Sequence, residues 1–141
     1  MRIHFQEQHA FWNSINPSIS PYPMLPVRLI GPKGKSVDTF ALLDSGADVS
    51  MFHGDWARKI GLKVKSGRKG NIGGIGAGGG LYYFHRIFLQ VGSNTVKCDV
   101  AFSDGHGDQP TDQLIGREVV FSSMRFALRQ AISTTYIGKS P

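Results

Sequence analysis

The sequence predicts a single, mostly-β domain carrying one or two short helices. Three observations carry that expectation: apolar residues alternate with polar ones over several short runs, turn-forming residues punctuate those runs (18 Gly and 7 Pro), and 141 residues with 40% hydrophobic content suit one core rather than two. With 9 Phe, 2 Trp and 4 Tyr the chain has ample ring volume to fill that core, which excludes a disordered chain.

The elements follow in order. Over residues 1–25, Phe5, Phe11 and Trp12 are scattered among polar residues and then Pro17, Pro21 and Pro23 follow, so an N-terminal arm is expected, without regular structure between Pro17 and Pro26. Its rings are expected to pack on the domain or on a second subunit, because three large rings are costly to leave in water. The domain proper is expected over residues 26–135, with 136–141 as a C-terminal tail. It opens with a hairpin, Val27-Arg28-Leu29-Ile30 and Val37-Asp38-Thr39-Phe40-Ala41-Leu42-Leu43 about the turn Gly31-Pro32-Lys33-Gly34. A short helix is expected over residues 55–60, with Asp55 as N-cap, Trp56 and Ile60 on one face and Gly61 as its stop. Ile87, Leu89 and Val91, the turn Gly92-Ser93-Asn94, and Val96, Cys98 and Val100 predict a second hairpin. Residues 114–121 lead toward another short helix, and Arg125-Phe126-Ala127-Leu128 reads as a late strand.

Charge and cysteine content narrow the setting. The excess of 16 Lys and Arg over 10 Asp and Glu gives a net charge of +6, compatible with a polyanionic partner, an anionic lipid or simply a basic soluble surface. The first residues turn polar too early for a signal peptide, and no stretch reaches membrane-spanning length. Cys98 alone makes neither an internal disulfide nor a CxxC metal site, so a cytoplasmic protein with no membrane contact is expected. With its own Met1, the chain is expected to be free-standing.

The chemistry concentrates at Ala41-Leu42-Leu43-Asp44-Ser45-Gly46-Ala47-Asp48, an apolar strand that ends abruptly in a carboxylate, a hydroxyl and a glycine. Such a strand end places Asp44 where water is scarce, which suits acid/base work. Gly46 permits a tight turn that brings backbone amides near the carboxylate, and the Ser45 hydroxyl can reach a neighbouring chain. The plain alternative is an Asx-type turn after a strand. A glycine-rich stretch, Asn71-Ile72-Gly73-Gly74-Ile75-Gly76-Ala77-Gly78, and the late Leu114-Ile115-Gly116-Arg117 complete the set.

In their order and rough spacing these three segments resemble the retropepsins, the retroviral-type aspartic proteases, over about residues 26–128. The stretch Val49-Ser50-Met51-Phe52 and the helix around Trp56 are closer to cellular and bacterial relatives than to viral enzymes. The resemblance implies a closed, β-barrel-like acid-protease fold, with Asp44 catalytic and Ser45 and Gly46 locking two active-site loops together. It implies that Ala47 and Asp48 bind substrate backbone. Gly73, Gly74, Ile75 and Gly76 would form a flap that closes over substrate. Gly116 would support the site, and Arg117 would pair with Asp48 as a strut. Neither a cofactor nor a metal is implied.

Proteolysis by this chemistry needs two carboxylates that share one proton, and the chain has one candidate. Asp38-Thr39-Phe40 lacks the glycine and Ser103-Asp104-Gly105 has the wrong order, so a homodimer with the site on its two-fold axis is expected, acting on a peptide or protein substrate. Two alternatives stand beside it. One is a catalytically silent dimerisation or peptide-binding module of the same fold. The other is a basic β-domain that binds nucleic acid through residues 63–69 and Tyr82-Tyr83-Phe84. Gly74-Ile75-Gly76-Ala77-Gly78-Gly79 fits the dinucleotide fingerprint, but a strand-like stretch rather than a helix follows it. Residues 103–108 miss the spacing of a calcium loop and are expected to be a surface turn. His53, His85 and His106 are expected to be packed or exposed rather than catalytic.

Overall fold

The computed structural model describes residues 3–13, 16, 18–72, 80–104 and 113–141. Among the described residues, ten strands and two short helices run in the order β1 (Glu7–Ala10), β2 (Met24–Ile30), β3 (Ser36–Leu43), β4 (Ser50–His53), α1 (Gly54–Lys59), β5 (Arg68–Ile72), β6 (Gly80–Val91), β7 (Asn94–Ser103), β8 (Leu114–Ile115), α2 (Val120–Ser123), β9 (Met124–Arg129) and β10 (Thr134–Lys139). Short 3-10 turns at Val64–Ser66 and Gln130–Ile132 complete the description. The architecture is mostly β, and no helix among the described residues is long and apolar enough to cross a membrane.

Seven strands form one sheet in the order β2-β3-β8-β4-β7-β6-β5, and β2 also pairs with β6, so the sheet returns on itself as a ring with β5 outside it. The long β6 makes this closure: along one edge it pairs first with β5 (Arg68↔Phe84 to Ile72↔Gly80) and then with β2 (Ile30↔Phe88 to Val27↔Val91). The hairpins β2–β3 and β6–β7 are the two that the alternation predicts. Strand β8 is only two residues long, held parallel to β3 and antiparallel to β4.

The second sheet, β1-β10-β9, joins the two ends of the chain. The boundaries expected at 25/26 and 135/136 both fall inside strands, β2 and β10. Residues 7–10 of the expected arm form a strand, because they pair with β10 from Glu7↔Ile137 to Ala10↔Thr134, and β2 already begins at Met24, inside the stretch up to Pro26 expected to lack regular structure, because it pairs there with β3. Pro26 is accommodated in β2 because it lies just before β6 begins to pair there, leaving one side without a ladder to donate to. The arm's rings pack on the domain: Phe11 is buried, Phe5 meets Tyr136 with centroids 5.9 Å apart, and Trp12 lies 4.8 Å from Phe40.

Both sheets share one core. Leu25, Leu29, Phe52, Ile87 and Phe102 from the ring are buried in the same cluster as Met124 and Ile137 from the second sheet. The helix α1 adds Ala57, followed by Ile60, to that core, but its N-cap is His53 and not Asp55. The helix begins earlier because a side chain at Gly54 would collide with the Ser103 carbonyl, its Cβ lying 2.2 Å away, so glycine alone lets the first turn form against β7. Asp55 instead sits in the first turn and accepts from Arg58 at 3.0 Å.

Candidate active site

The Asp44 turn is built where β3 leaves the ring. Alternation along β3 sends Ala41 and Leu43 into the core, and the next residue outward is Asp44, half-buried in the single chain rather than enclosed. Its backbone N–H continues the pairing with β8 by donating to the Ile115 carbonyl at 3.1 Å. The chain then reverses: the Ala47 N–H donates to the Asp44 carbonyl (3.2 Å) and the Gly46 N–H donates to Asp44 Oδ1 (2.8 Å). One carboxylate oxygen is thereby oriented by the turn, while Oδ2 has no partner among the described residues. Ser45 and Gly46 are exposed at the tip.

The segment after β8 braces this turn. The Arg117 N–H donates to the Ala47 carbonyl (2.9 Å) and the Glu118 N–H to the Asp48 carbonyl (2.8 Å), so residues 47–48 and 117–118 are tied backbone to backbone. The Arg117 guanidinium also pairs with the Asp48 carboxylate. Both side chains are mostly exposed, so that ion pair adds little stability and mainly orients the two groups. Gly116 is buried against Val49, and a Cβ there would lie 2.3 Å from the Val49 carbonyl carbon and oxygen, so no other residue fits. Its N–H donates to Ser50 Oγ at 3.0 Å. Just beyond, Val119 takes φ 64° and ψ −46°, with the Val120 N–H bonded to the Glu118 carbonyl at 2.7 Å, a strained three-residue turn that re-aims the chain into α2.

Beside the turn lies a second, smaller apolar cluster on the outer side of the ring, with Met51, Ala101 and Leu114 buried at its centre. Strands usually turn polar residues outward, but here the outward positions carry Leu42, Met51, Ala101, Leu114, Tyr82 and Phe84, packed together with Ala47 and Val49. The structure thus brings Ala47 from the turn and Tyr82 and Phe84 from β6 into one cluster. The expected flap residues Gly73, Gly74, Ile75 and Gly76 lie outside the described residues, and so does His106. Strands β5 and β6 flank that stretch as an antiparallel pair.

Three contributors escape a reading of the sequence alone. Ser50 is a buried hydroxyl serving Gly116; a polar residue opening the apolar run Met51-Phe52 was its only signal. Gln113 is buried before β8, its side-chain amide donating to the Phe40 carbonyl (2.8 Å) and Thr39 Oγ1 (3.1 Å), while its backbone carbonyl accepts from the Leu42 N–H (2.8 Å). The outer cluster is the third, since nothing local says that Tyr82, Phe84 and Ala47 all pack on Met51, Ala101 and Leu114. Elsewhere, His85 bonds the Val64 carbonyl (2.8 Å) and packs its ring on Phe102, a structural placement. Among the described residues no group of three or more His, Cys, Asp or Glu side chains gathers as metal ligands.

No family model matches this chain, and a comparison with curated proteins finds no match either.

Proposed function

We propose that this protein is an aspartic endopeptidase of retropepsin type that acts as a homodimer, with a water molecule activated between the Asp44 carboxylates of two copies. The observation that carries the reading is the Asp44-Ser45-Gly46 turn itself: a carboxylate at a strand end, one oxygen held by the Gly46 N–H, with Asp44, Ala47 and Asp48 tied backbone to backbone to Ile115, Arg117 and Glu118. That rigidity is what catalysis by positioned carboxyls requires.

One carboxylate per chain is half of the chemistry. A second Asp44 across a two-fold axis would make a pair in which like charges disfavour double ionisation, so the two hold one proton between them. The ionised member accepts a proton from water as it attacks the scissile carbonyl carbon. The protonated member donates to the carbonyl oxygen, and a proton then passes to the leaving nitrogen as the C–N bond breaks. The titration belongs to the pair rather than to either copy, and activity is expected to be strongest in acid. The glycine-rich segment between β5 and β6 would close over the bound peptide, and Asp48, oriented by Arg117, would hold its backbone.

The test is cleavage of an unfolded protein from acid to neutral pH by the wild type and by Asp44→Asn. Cleavage by the wild type alone, rising toward acid, supports the reading. Inactivity of both folded proteins leaves the silent peptide-binding module as the better account, and equal cleavage by both moves the activity away from Asp44.

A further inference from the structure

The outer apolar cluster does not stop at β6. Following the strand register from the Asp44 side, Leu42 pairs with Leu114, Leu114 with Met51, Met51 with Ala101, Ala101 with Phe84, and Phe84 with Arg68. One continuous row thus starts two residues before Asp44 and ends on a cation. The guanidinium carbon of Arg68 lies 4.6 Å from the centroid of the Phe84 ring. Gly70 makes this possible, since a Cβ there would stand 2.4 Å from the ring that occupies its space.

Arg68 shares with Arg125 and Arg129 the lack of a carboxylate partner among the described residues, and it lies on the face of an aromatic ring. Arg28, Arg58, Arg86 and Arg117 each face a carboxylate: Asp38, Asp55 with Asp104, Asp99 and Asp48. Arg68 has no carboxylate partner among the described residues, and the exposed Lys69 follows it. A guanidinium lying on a ring keeps its edge N–H groups free and is already ordered, the state from which a bidentate bond to a carboxylate costs least.

We propose that Arg68 is a specificity-determining residue of the Asp44 site, selecting extended peptides that carry an Asp or Glu side chain at the position reaching the Phe84 edge of the apolar face. The inference rests on the reading that this site takes peptides. Apolar side chains of the ligand lie on Leu42, Tyr82 and Phe84, the half-buried members of this cluster, over the buried Leu114, Met51 and Ala101, and the acidic one meets Arg68. A chain carrying a net charge of +6 favours the same ligands at long range.

The test uses Asp44→Asn, so that binding is read without turnover. Fluorescent peptides of mixed apolar sequence, each made with Glu or with Gln at one position scanned along the chain, are titrated by anisotropy at pH 7. At one position Glu is expected to bind about tenfold tighter than Gln, the worth of one charge-assisted bond. The preference should vanish in Asp44→Asn combined with Arg68→Gln, persist in part with Arg68→Lys, and fade at pH values below about 4, where the peptide Glu is protonated. Equal binding of Glu and Gln peptides at every position overturns the inference, as does a preference that survives Arg68→Gln or an absence of peptide binding by folded protein. Wild-type cleavage measured alongside separates the two readings. Cleavage without an acidic preference sinks the role of Arg68 and leaves the protease standing, whereas an Arg68-dependent preference without any cleavage does the reverse.

Discussion

Two residues illustrate how single atoms decide the site. Gly116 and Gly46 both sit at the Asp44 turn, but a Cβ at Gly116 meets the Val49 backbone at 2.3 Å whereas one at Gly46 meets only Asp44 Oδ1 at 3.1 Å. Backbone cannot swing aside as a side chain can, so Gly116→Ala is expected to cost about 3 kcal/mol of stability, the upper end for overpacking, and Gly46→Ala clearly less. Urea unfolding of the two variants checks the order, and equal midpoints would contradict it. Cys98 gives a second outcome at this scale. Burial in the core, helped by the neighbouring Asp99 charge, pushes its thiol up to about 11. At pH 8 only about one molecule in a thousand then carries a thiolate. A thiol reagent should leave the folded protein unlabelled and react fully in denaturant. Rapid labelling under native conditions would mean that β7 opens.

At the scale of elements, the contact of β1 with the β6–β7 turn is the most informative. The Ser93 N–H donates to Glu7 Oε1 at 2.9 Å, the Ser93 hydroxyl joins it, and His9 stands 3.1 Å from the other oxygen. Gly92 takes φ 58° there, and the Glu7 carboxylate occupies the space of its missing side chain. Burial opposes the Glu7 charge, but the bonds from Ser93 and the nearby His9 outweigh it, so its carboxyl lies below the ordinary 4.5. A depressed folded value means stability that is present above about pH 4.5 and lost as pH falls through the folded value. Glu7→Gln is therefore expected to be less stable than wild type by about 1.5 kcal/mol at pH 7, with the gap closing in acid. Chemical denaturation at pH 7 and pH 3 measures both differences, and a gap independent of pH would refute the assignment. The elements themselves were largely legible: both hairpins, α1 within a residue or two, the late helix and β9 follow from alternation and turn residues. The pairing of β1 with β10 was not, because Glu7 and Ile137 are far apart in sequence and neither segment has a periodicity that names its partner.

For the whole molecule, the proposed chemistry stands or falls with self-association. Sedimentation equilibrium should give a mass twice 15.4 kDa at concentrations where cleavage is seen. A monomer under those conditions would leave Asp44 without its second carboxylate. Removing residues 1–10 deletes β1 and exposes the β10 edge that it covers. The truncated protein is expected to lose stability and to change its association or its cleavage rate; an unchanged mass and rate would show that the N-terminal strand does neither job.

The amino-acid sequence by itself determined what is local: which runs alternate with period two, where glycine and proline turn the chain, and that a carboxylate, a hydroxyl and a glycine end β3. Those are properties of a few neighbouring residues, and neighbours in sequence are neighbours in space. Tertiary structure alone decided which strands pair beyond the two hairpins, that β6 closes the ring by serving β5 and β2 along one edge, and that Gly116 must pass against Val49. It also turned Leu42, Met51, Ala101 and Phe84 to the same outer face, leading to Arg68. Alternation specifies that a residue faces one side or the other, but the neighbours it finds there are set by register between strands that lie far apart along the chain.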